Sequence, residues 1–381
     1  MTQQNLNVPE ADRGHGVAIV GCGIIGVNHA RAIARIPGLR IAAVVDDVPE
    51  AAQALADLVA DELGGERPVE AASVEGLPES VSIVAVCTPS GTHVELAERV
   101  IAGGRHVVLE KPLDVSMERG RRLAALAAEA AERGVSISVI SQHRYDPAAV
   151  AVANAAHSGR LGRITSAVAS VPWWRTQEYY DSGAWRGTWA LDGGGAVMNQ
   201  GVHTVDLLLW FLGTPVELYA QTGLLAHERV EVEDVAVATV RFESGALAVL
   251  HATTAAFPSL PVRVQVHGSA GSGVVEDDRL AWLSVDGDGT DLTLDAAPVG
   301  HRLGDERPED DFVEGHARQW SDILSAIRDG REPRVGVPEA LLALAVVRAV
   351  YVSATTGAPV RIADVLDGRT DDADVRTGGL A

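Results

Sequence analysis

Cysteine is almost absent: Cys22 and Cys87 are the only two in 381 residues. That scarcity excludes a disulfide-stapled secreted scaffold and fits a reducing compartment, so a cytoplasmic location is expected. No run of about 18 uninterrupted apolar residues is present, and the opening MTQQNLNVPEADRGH lacks the apolar core of a secretory signal, so neither export nor a membrane span is expected. Positive charge is scarce, with 31 Lys and Arg against 52 Asp and Glu and a formal net charge of −21. A field of that sign repels nucleic acid and anionic lipid and leaves small molecules as the expected partners. It constrains only the average, because a local cluster of arginines can still hold an anionic group inside a cleft. No internal repeat is found.

What is present is a chain with 47% hydrophobic residues, long enough to bury a sizeable core and to divide in two. From Gly16 to about Ser141, short apolar runs (Val17 to Val20, Leu39 to Val45, Val81 to Cys87, His106 to Leu109, Val135 to Ile140) alternate with alanine-rich helical stretches, Glu50 to Leu63 and Met117 to Arg133. That is the pattern of a doubly wound parallel α/β sheet. After Arg144 the strands alternate apolar and polar residues. EDVAVATVRF and ALAVLHATT read as a hairpin, and Ile164 to Val171, Val216 to Gln221 and Val262 to His267 as further strands of a large, open, mostly antiparallel sheet in an α+β unit. A helix is expected from about Val197 to Leu212 and another from Pro338 to Thr355, with a solvated acidic loop around Asp305 to Asp311. The expected divisions are a tail over 1–15, a dinucleotide-binding domain over 16–143, a substrate-binding and oligomerisation domain over 144–366 and a tail over 367–381.

VAIVGCGIIGVNHARAI places Gly21, Gly23 and Gly26 between the first strand and the first helix, with Ile24 and Ile25 among them. In that context Gly21 makes the tight turn, Gly23 admits a pyrophosphate to the backbone amides and Gly26 lets the helix pack on the sheet. The alternative is an ordinary glycine-rich turn. Asp46 ends the second strand where an acid binds the adenosine ribose, and Asp47 follows with no nearby Arg or Lys for a 2′-phosphate, so NAD is expected over NADP. Either acid could also cap the next helix.

Further along stand VSIVAVCTPSGTHVELAERVIAGGRHVVLEKPLD and, much later, DGGGAVMNQGVHTVDLLLW. With the glycine turn, these motifs in this order resemble the glucose-fructose oxidoreductase, inositol dehydrogenase and MocA family of NAD(P)-dependent oxidoreductases, from Gly16 to about Ile362. The resemblance implies that Thr88, Pro89, His93, Glu110 and Lys111 lie against the cofactor, that the Lys111–Pro112 peptide is cis, and that Lys111 and His203 are catalytic. An ammonium at the end of a parallel strand can steady negative charge on the reacting oxygen, and an imidazole with an ordinary pKa of about 6.5 can take the hydroxyl proton. Asn199 lies four residues before His203 and so on the same helix face, where the inositol dehydrogenase branch has an aspartate; an amide positions a hydroxyl but accepts no proton as a carboxylate does. It resembles the NQG variant of other members, some acting on nucleotide sugars. Asp206 is placed to orient His203 or to pack the helix end.

VPWWRTQEYYDSGAWRGTWALDGGG holds four of the seven tryptophans: Trp173, Trp174, Trp185 and Trp189. Beside Arg175 and Arg186 they suit a sugar ring, offering apolar faces and fixed donors; the alternative is that they plug a domain junction. Arg144, His143 and Tyr145 are further substrate candidates by position. The expected function is hydride transfer between NAD and a secondary alcohol or ketone of a sugar, sugar derivative or cyclitol, by a homodimer or homotetramer with no metal. The alternatives are a glycoside hydrolase or lyase that oxidises its sugar transiently, and a non-catalytic NAD-binding regulator. Retention of both Lys111 and His203 speaks against the last.

Overall fold

The structure, a computed structural model, describes residues 14–286 and 309–375. The first part of the chain runs β1 (His15–Val20), α1 (Ile24–Ile33), β2 (Leu39–Val45), α2 (Pro49–Asp61), β3 (Val69–Glu70), β4 (Val81–Val86), α3 (His93–Ala102), β5 (His106–Leu109), α4 (Met117–Glu132) and β6 (Ile137–Val139). All pairings are parallel and the order is β3-β2-β1-β4-β5-β6. Continuous Val, Ile and Ala runs suit strands covered by helices on both faces. The order reverses between β1 and β4, and the crevice beyond their carboxyl ends is where such sheets bind ligands.

Then follow α5 (Pro147–His157), β7 (Ile164–Pro172), α6 (Gln177–Asp181), α7 (Val202–Leu212), β8 (Pro215–Gly223), β9 (Val235–Phe242), β10 (Leu247–Thr253), β11 (Arg263–Gly268), β12 (Gly271–Glu276) and β13 (Arg279–Val285). The chain ends with α8 (Glu309–Asp329), α9 (Val337–Thr356), β14 (Val360–Arg361) and α10 (Ile362–Leu366). The second sheet has the order β13-β12-β11-β7-β10-β9-β8-β14. Every pairing in it is antiparallel except the parallel register of β7 with β10. Helices α5, α7 and α9 pack on one face. The opposite face exposes Tyr219, Val237, Leu247 and Val249. Among the described residues, α9 alone is long and apolar enough to cross a membrane by length and composition; here it packs against α4, α7 and β8.

Two expectations change. Residues 305–308 of the acidic stretch lie outside the described residues, but Glu309 opens a 21-residue helix, not a loop. That helix returns to the first sheet, packing on α1 and placing Trp320 in the same apolar cluster as Ile19, Ile33 and Ile83. The helix expected from Val197 begins as a π turn, Val197–Gly201, before α7 proper.

Candidate active site

Gly21 leaves β1 at φ 93°, and a Cβ there would come within 2.7 Å of the Cys87 carbonyl group, so the turn accepts only glycine. At Gly26 a Cβ would lie 2.2 Å from the Gly21 carbonyl oxygen, which is why α1 can sit so close to the sheet. A Cβ on Gly23 would meet nothing within 4 Å, and Ile24 beside it is 78% exposed, apolar surface open at a helix N-terminus that carries no acidic residue in its first turn. This cradle fits a dinucleotide, with amides for pyrophosphate and space where the backbone must approach it. Asp46 accepts from Cys22 N–H at 2.7 Å and from Val48 N–H at 2.8 Å, so it ties the glycine turn to the start of α2.

The loops after β4 and β5 are held together from behind. Thr88 and Thr92 hydroxyls are 2.7 Å apart. The His93 ring faces the carbonyls of Thr88 and Pro112, both at 2.9 Å, and is buried. His93 therefore clamps two loops and does not reach toward a cofactor as expected. The Lys111–Pro112 peptide is cis.

Glu110 also departs from the expected cofactor contact. It is buried, with one carboxylate oxygen 2.9 Å from His29 Nε2 and 3.4 Å from His316 Nε2, and the other accepting from Lys111 N–H at 3.1 Å. His29, Glu110 and His316 together have the donor set of a metal centre, but Trp320 Nε1–H lies 2.9 Å from His29 Nδ1. An indole nitrogen only donates. His29 Nδ1 must then accept, its Nε2 carries the proton, and that proton points at Glu110 in place of a metal. Burial holds His29 below its ordinary pKa, consistent with a neutral ring. Burial alone would raise the Glu110 carboxyl, but the hydrogen bonds from His29 and His316 outweigh it and hold it well below the usual range. Sequence reasoning missed His29, His316 and Trp320, because only the fold of α8 brings them together.

Lys111 Nζ donates to the Asn199 carbonyl oxygen at 3.3 Å, so the strand end of one sheet meets the π turn before α7. Single π turns occur often at functional sites. Lys111 and His203 line one small cavity together with Asp206, Ser141 and Pro112. Burial lowers the Lys111 pKa, with Glu110 and then Asp192 opposing. His203 is pushed well below its ordinary value by burial, then by the charges of Lys111 and His143. His143 packs edge-on against it at 4.8 Å. Burial would lower the His143 pKa, but Asp278 at 2.7 Å and Asp146 at 3.1 Å raise it to about 10. Burial and these two neighbouring groups all oppose protonation of the His203 ring.

Asp206 does not orient His203. It forms a bidentate pair with Arg144, at 2.6 and 2.7 Å, and accepts from the Ser141 hydroxyl. Arg144, expected on the substrate, is therefore committed to this pair and to the Trp210 face. Asn199 Nδ2 donates to Gly194 O at 3.0 Å. The turn itself is set by Glu233, another residue the sequence did not flag. Its carboxylate accepts from Gly195 and Val197 N–H, each at 2.9 Å, and from Tyr351 OH at 3.1 Å. A Cβ at Gly195 would lie 1.7 Å from the Glu233 carbonyl oxygen, which explains the glycine run. Trp173, Trp185 and Arg186 are partly buried in the segment between β7 and the π turn, and Trp189 packs edge-on against Tyr351 at 5.0 Å.

A dinucleotide cradle at the switch point, with an ammonium and an imidazole brought together beside it, defines a nicotinamide-type oxidoreductase. Residues 15–139 match the description "Oxidoreductase family, NAD-binding Rossmann fold" and residues 150–274 match "GFO/IDH/MocA C-terminal domain". The chain belongs to the GFO/IDH/MocA oxidoreductase family. It is 27% identical to the inositol 2-dehydrogenase of Rhizobium meliloti (strain 1021) over 91% of this chain and 98% of that protein. It is 31% identical to the WlbA dehydrogenase from Bordetella pertussis, solved with NADH and UDP-GlcNAcA, over 92% of this chain and 98% of that one, with a TM-score of 0.77. A levoglucosan dehydrogenase solved with NADH and levoglucosan, 20% identical over 92% of this chain and 99% of that one, shares the fold at a TM-score of 0.78.

One sequence signal points to Lys111 without any relative: it is the only lysine in the chain, and all the other Lys and Arg positions are arginine. A guanidinium stays charged and does not yield its proton, whereas an ammonium shifts its pKa readily when buried.

Proposed function

We propose that the chain catalyses reversible hydride transfer between NAD and a secondary alcohol or ketone of a sugar, a sugar derivative such as a nucleotide sugar, or a cyclitol. The observation that carries this reading is that Lys111, which follows β5 in the sheet whose β1 ends in the glycine turn, lines one cavity together with His203 from the second half of the chain. Bound NAD supplies the hydride acceptor. His203, kept neutral by burial and by neighbouring cations, takes the hydroxyl proton. The Lys111 ammonium donates to the same oxygen and steadies the charge that develops as the proton leaves. Asn199 positions a neighbouring hydroxyl, and the tryptophan-rich segment supplies apolar faces for the ring.

Gly21, Gly23, Ile24, Ile25 and Gly26 cradle the pyrophosphate, and Asp46 takes the ribose hydroxyls, favouring NAD over NADP. Thr88 and Pro89 border the nicotinamide side. The open apolar face of the second sheet supports a homodimer or homotetramer, since paired copies would bury it. A cytoplasmic location, which the scarcity of cysteine supports, belongs to the same reading.

The test is NADH formation by the purified chain across a panel of sugars, cyclitols and nucleotide sugars. Stoichiometric NADH supports the reading, whereas product without net NADH would replace it by transient oxidation in a hydrolase or lyase. Because Lys111 is the sole lysine, an amine-selective label followed by peptide mapping reports on it and on the N-terminus alone. NAD plus substrate should protect it, and unprotected labelling would count against its place in the cleft.

A further inference from the structure

We propose that Arg175 and Arg186 form an oxyanion site at the rim of the cleft, so that the substrate is a sugar derivative bearing a carboxylate or a phosphate. This rests on the hydride-transfer reading and narrows its substrate. The segment that carries both arginines leaves β7 and bridges the two sheets. Trp173 and Arg175 donate backbone N–H to Thr253 and Thr254 carbonyls at 3.0 and 2.9 Å, and Trp189 Nε1 donates to Glu231 O at 3.1 Å. At its far end Gly91 N–H, in the loop after β4, reaches Leu191 O at 3.4 Å. The segment thus closes over the side of the molecule where the nicotinamide loops lie.

Within it, two guanidiniums share one aromatic ring. Arg186 lies 4.4 Å from the Tyr179 centroid and 4.5 Å from that of Trp185. Arg175 lies 5.0 Å from the Tyr179 centroid and 5.0 Å from that of Trp173. Neither makes an ion pair among the described residues, although carboxylates pair with Arg67, Arg99, Arg119, Arg122 and Arg144 elsewhere. Arg175 Nε is buried with no hydrogen-bond partner. A buried unpaired donor is destabilising, and two like charges on one ring repel. Aromatic faces offset only part of this. An anion between the two would remove both penalties, and planar guanidiniums suit carboxylate and phosphate oxygens alike.

The position relative to the reacting groups follows from Asp192. That buried carboxylate accepts from Gly187 N–H at 2.7 Å and feels the charges of both Arg186 and Lys111. Asp192 opens the glycine run in which the Gly194 carbonyl accepts from Asn199 Nδ2 at 3.0 Å, and the Asn199 carbonyl takes the Lys111 ammonium at 3.3 Å, so a continuous set of contacts links the Arg186 end of the segment to Lys111. The acidic surface does not forbid such a substrate, because the local pair sets the field inside the cleft.

The test uses the full chain saturated with NAD and five probes: glucose, glucuronate, glucose 1-phosphate, UDP-glucuronate and inorganic pyrophosphate. Binding is read by quenching of tryptophan fluorescence, since Trp173 and Trp185 carry the two guanidiniums, and turnover by NADH. Anionic probes should bind at least about tenfold more tightly than glucose, with an affinity that falls as salt is added; glucuronate against glucose 1-phosphate tells carboxylate from phosphate. Arg175→Gln and Arg186→Gln should each lose roughly ten- to a hundredfold for the preferred anion, with NAD affinity as the control for folding. No salt-dependent binding of any anionic probe, or equal losses for glucose and the anions, overturns the proposal. Arginine-dependent anion binding without NADH from any probe would leave the oxyanion site standing and remove the hydride-transfer reading, whereas NADH from glucose with no anion binding would do the reverse.

Discussion

In the first sheet β1 and β4 are buried almost end to end, whereas β9 and β10 of the second alternate buried and exposed residues. The functional groups of the first sheet sit on the short turns that leave its strands, beside the glycine or proline that shapes each turn, although His93 and the His29–Glu110–His316 cluster brace those turns from behind. Those of the second are aimed from a distance. His203 stands on a helix whose opening turn is fixed by Glu233 and Tyr351, and its neighbour Asp206 is tied to Arg144. The lesson is that strand-end groups can be located from the sequence around them, while the buried polar partners that hold either site come from remote parts of the chain.

The sharpest way to break the contrast is Lys111→Ala, which should lower turnover roughly a hundred- to a thousandfold while NAD binding stays measurable by NADH fluorescence. Near-normal turnover would remove Lys111 from the chemistry. Next is Asp206→Ala, which leaves a buried guanidinium uncompensated. The chain should lose about 3–5 kcal/mol in urea unfolding, and an unchanged midpoint would show that the Arg144 pair does not hold α7.

Glu110→Gln sharpens the comparison through pH. The base must be deprotonated and the ammonium protonated, so activity should rise with pH through the His203 pKa, below its ordinary value, and fall through that of Lys111, also below its ordinary value. The Glu110 charge raises both pKa values. Removing it should move both limbs of the profile toward acid and lower turnover roughly tenfold; limbs that stay in place would make Glu110 a packing residue only. The smallest effect concerns the open face. Leu247→Glu, at a residue 59% exposed, should reduce the oligomer on size exclusion while altering stability by less than about 0.5 kcal/mol, and an unchanged elution volume would place the interface elsewhere.

Much of this was legible in the chain. The expected strand Leu39 to Val45 and the hairpin flanking Glu243 to Gly245 are found as β2, β9 and β10, because apolar period and turn chemistry are local. The glycine turn and the Lys111 strand end were legible for the same reason. The roles of His93, Glu110, Arg144 and Asp206 were not, because each is set by a partner remote in sequence. His316 meets Glu110 across 206 positions, and nothing in the period of α8 says which sheet it will cover.

By itself the sequence determined most strands of both sheets, the glycine turn and the two residues proposed to react, since backbone sterics and hydrophobic period act over a few residues, but not the helix that begins at Glu309. Only the tertiary structure decided which polar groups are buried against one another: the neutral His29 beneath Glu110, the Arg144–Asp206 pair and the two guanidiniums left on Tyr179. Burial takes these groups out of water, and the partners that then satisfy them, or fail to, come from wherever the fold delivers them.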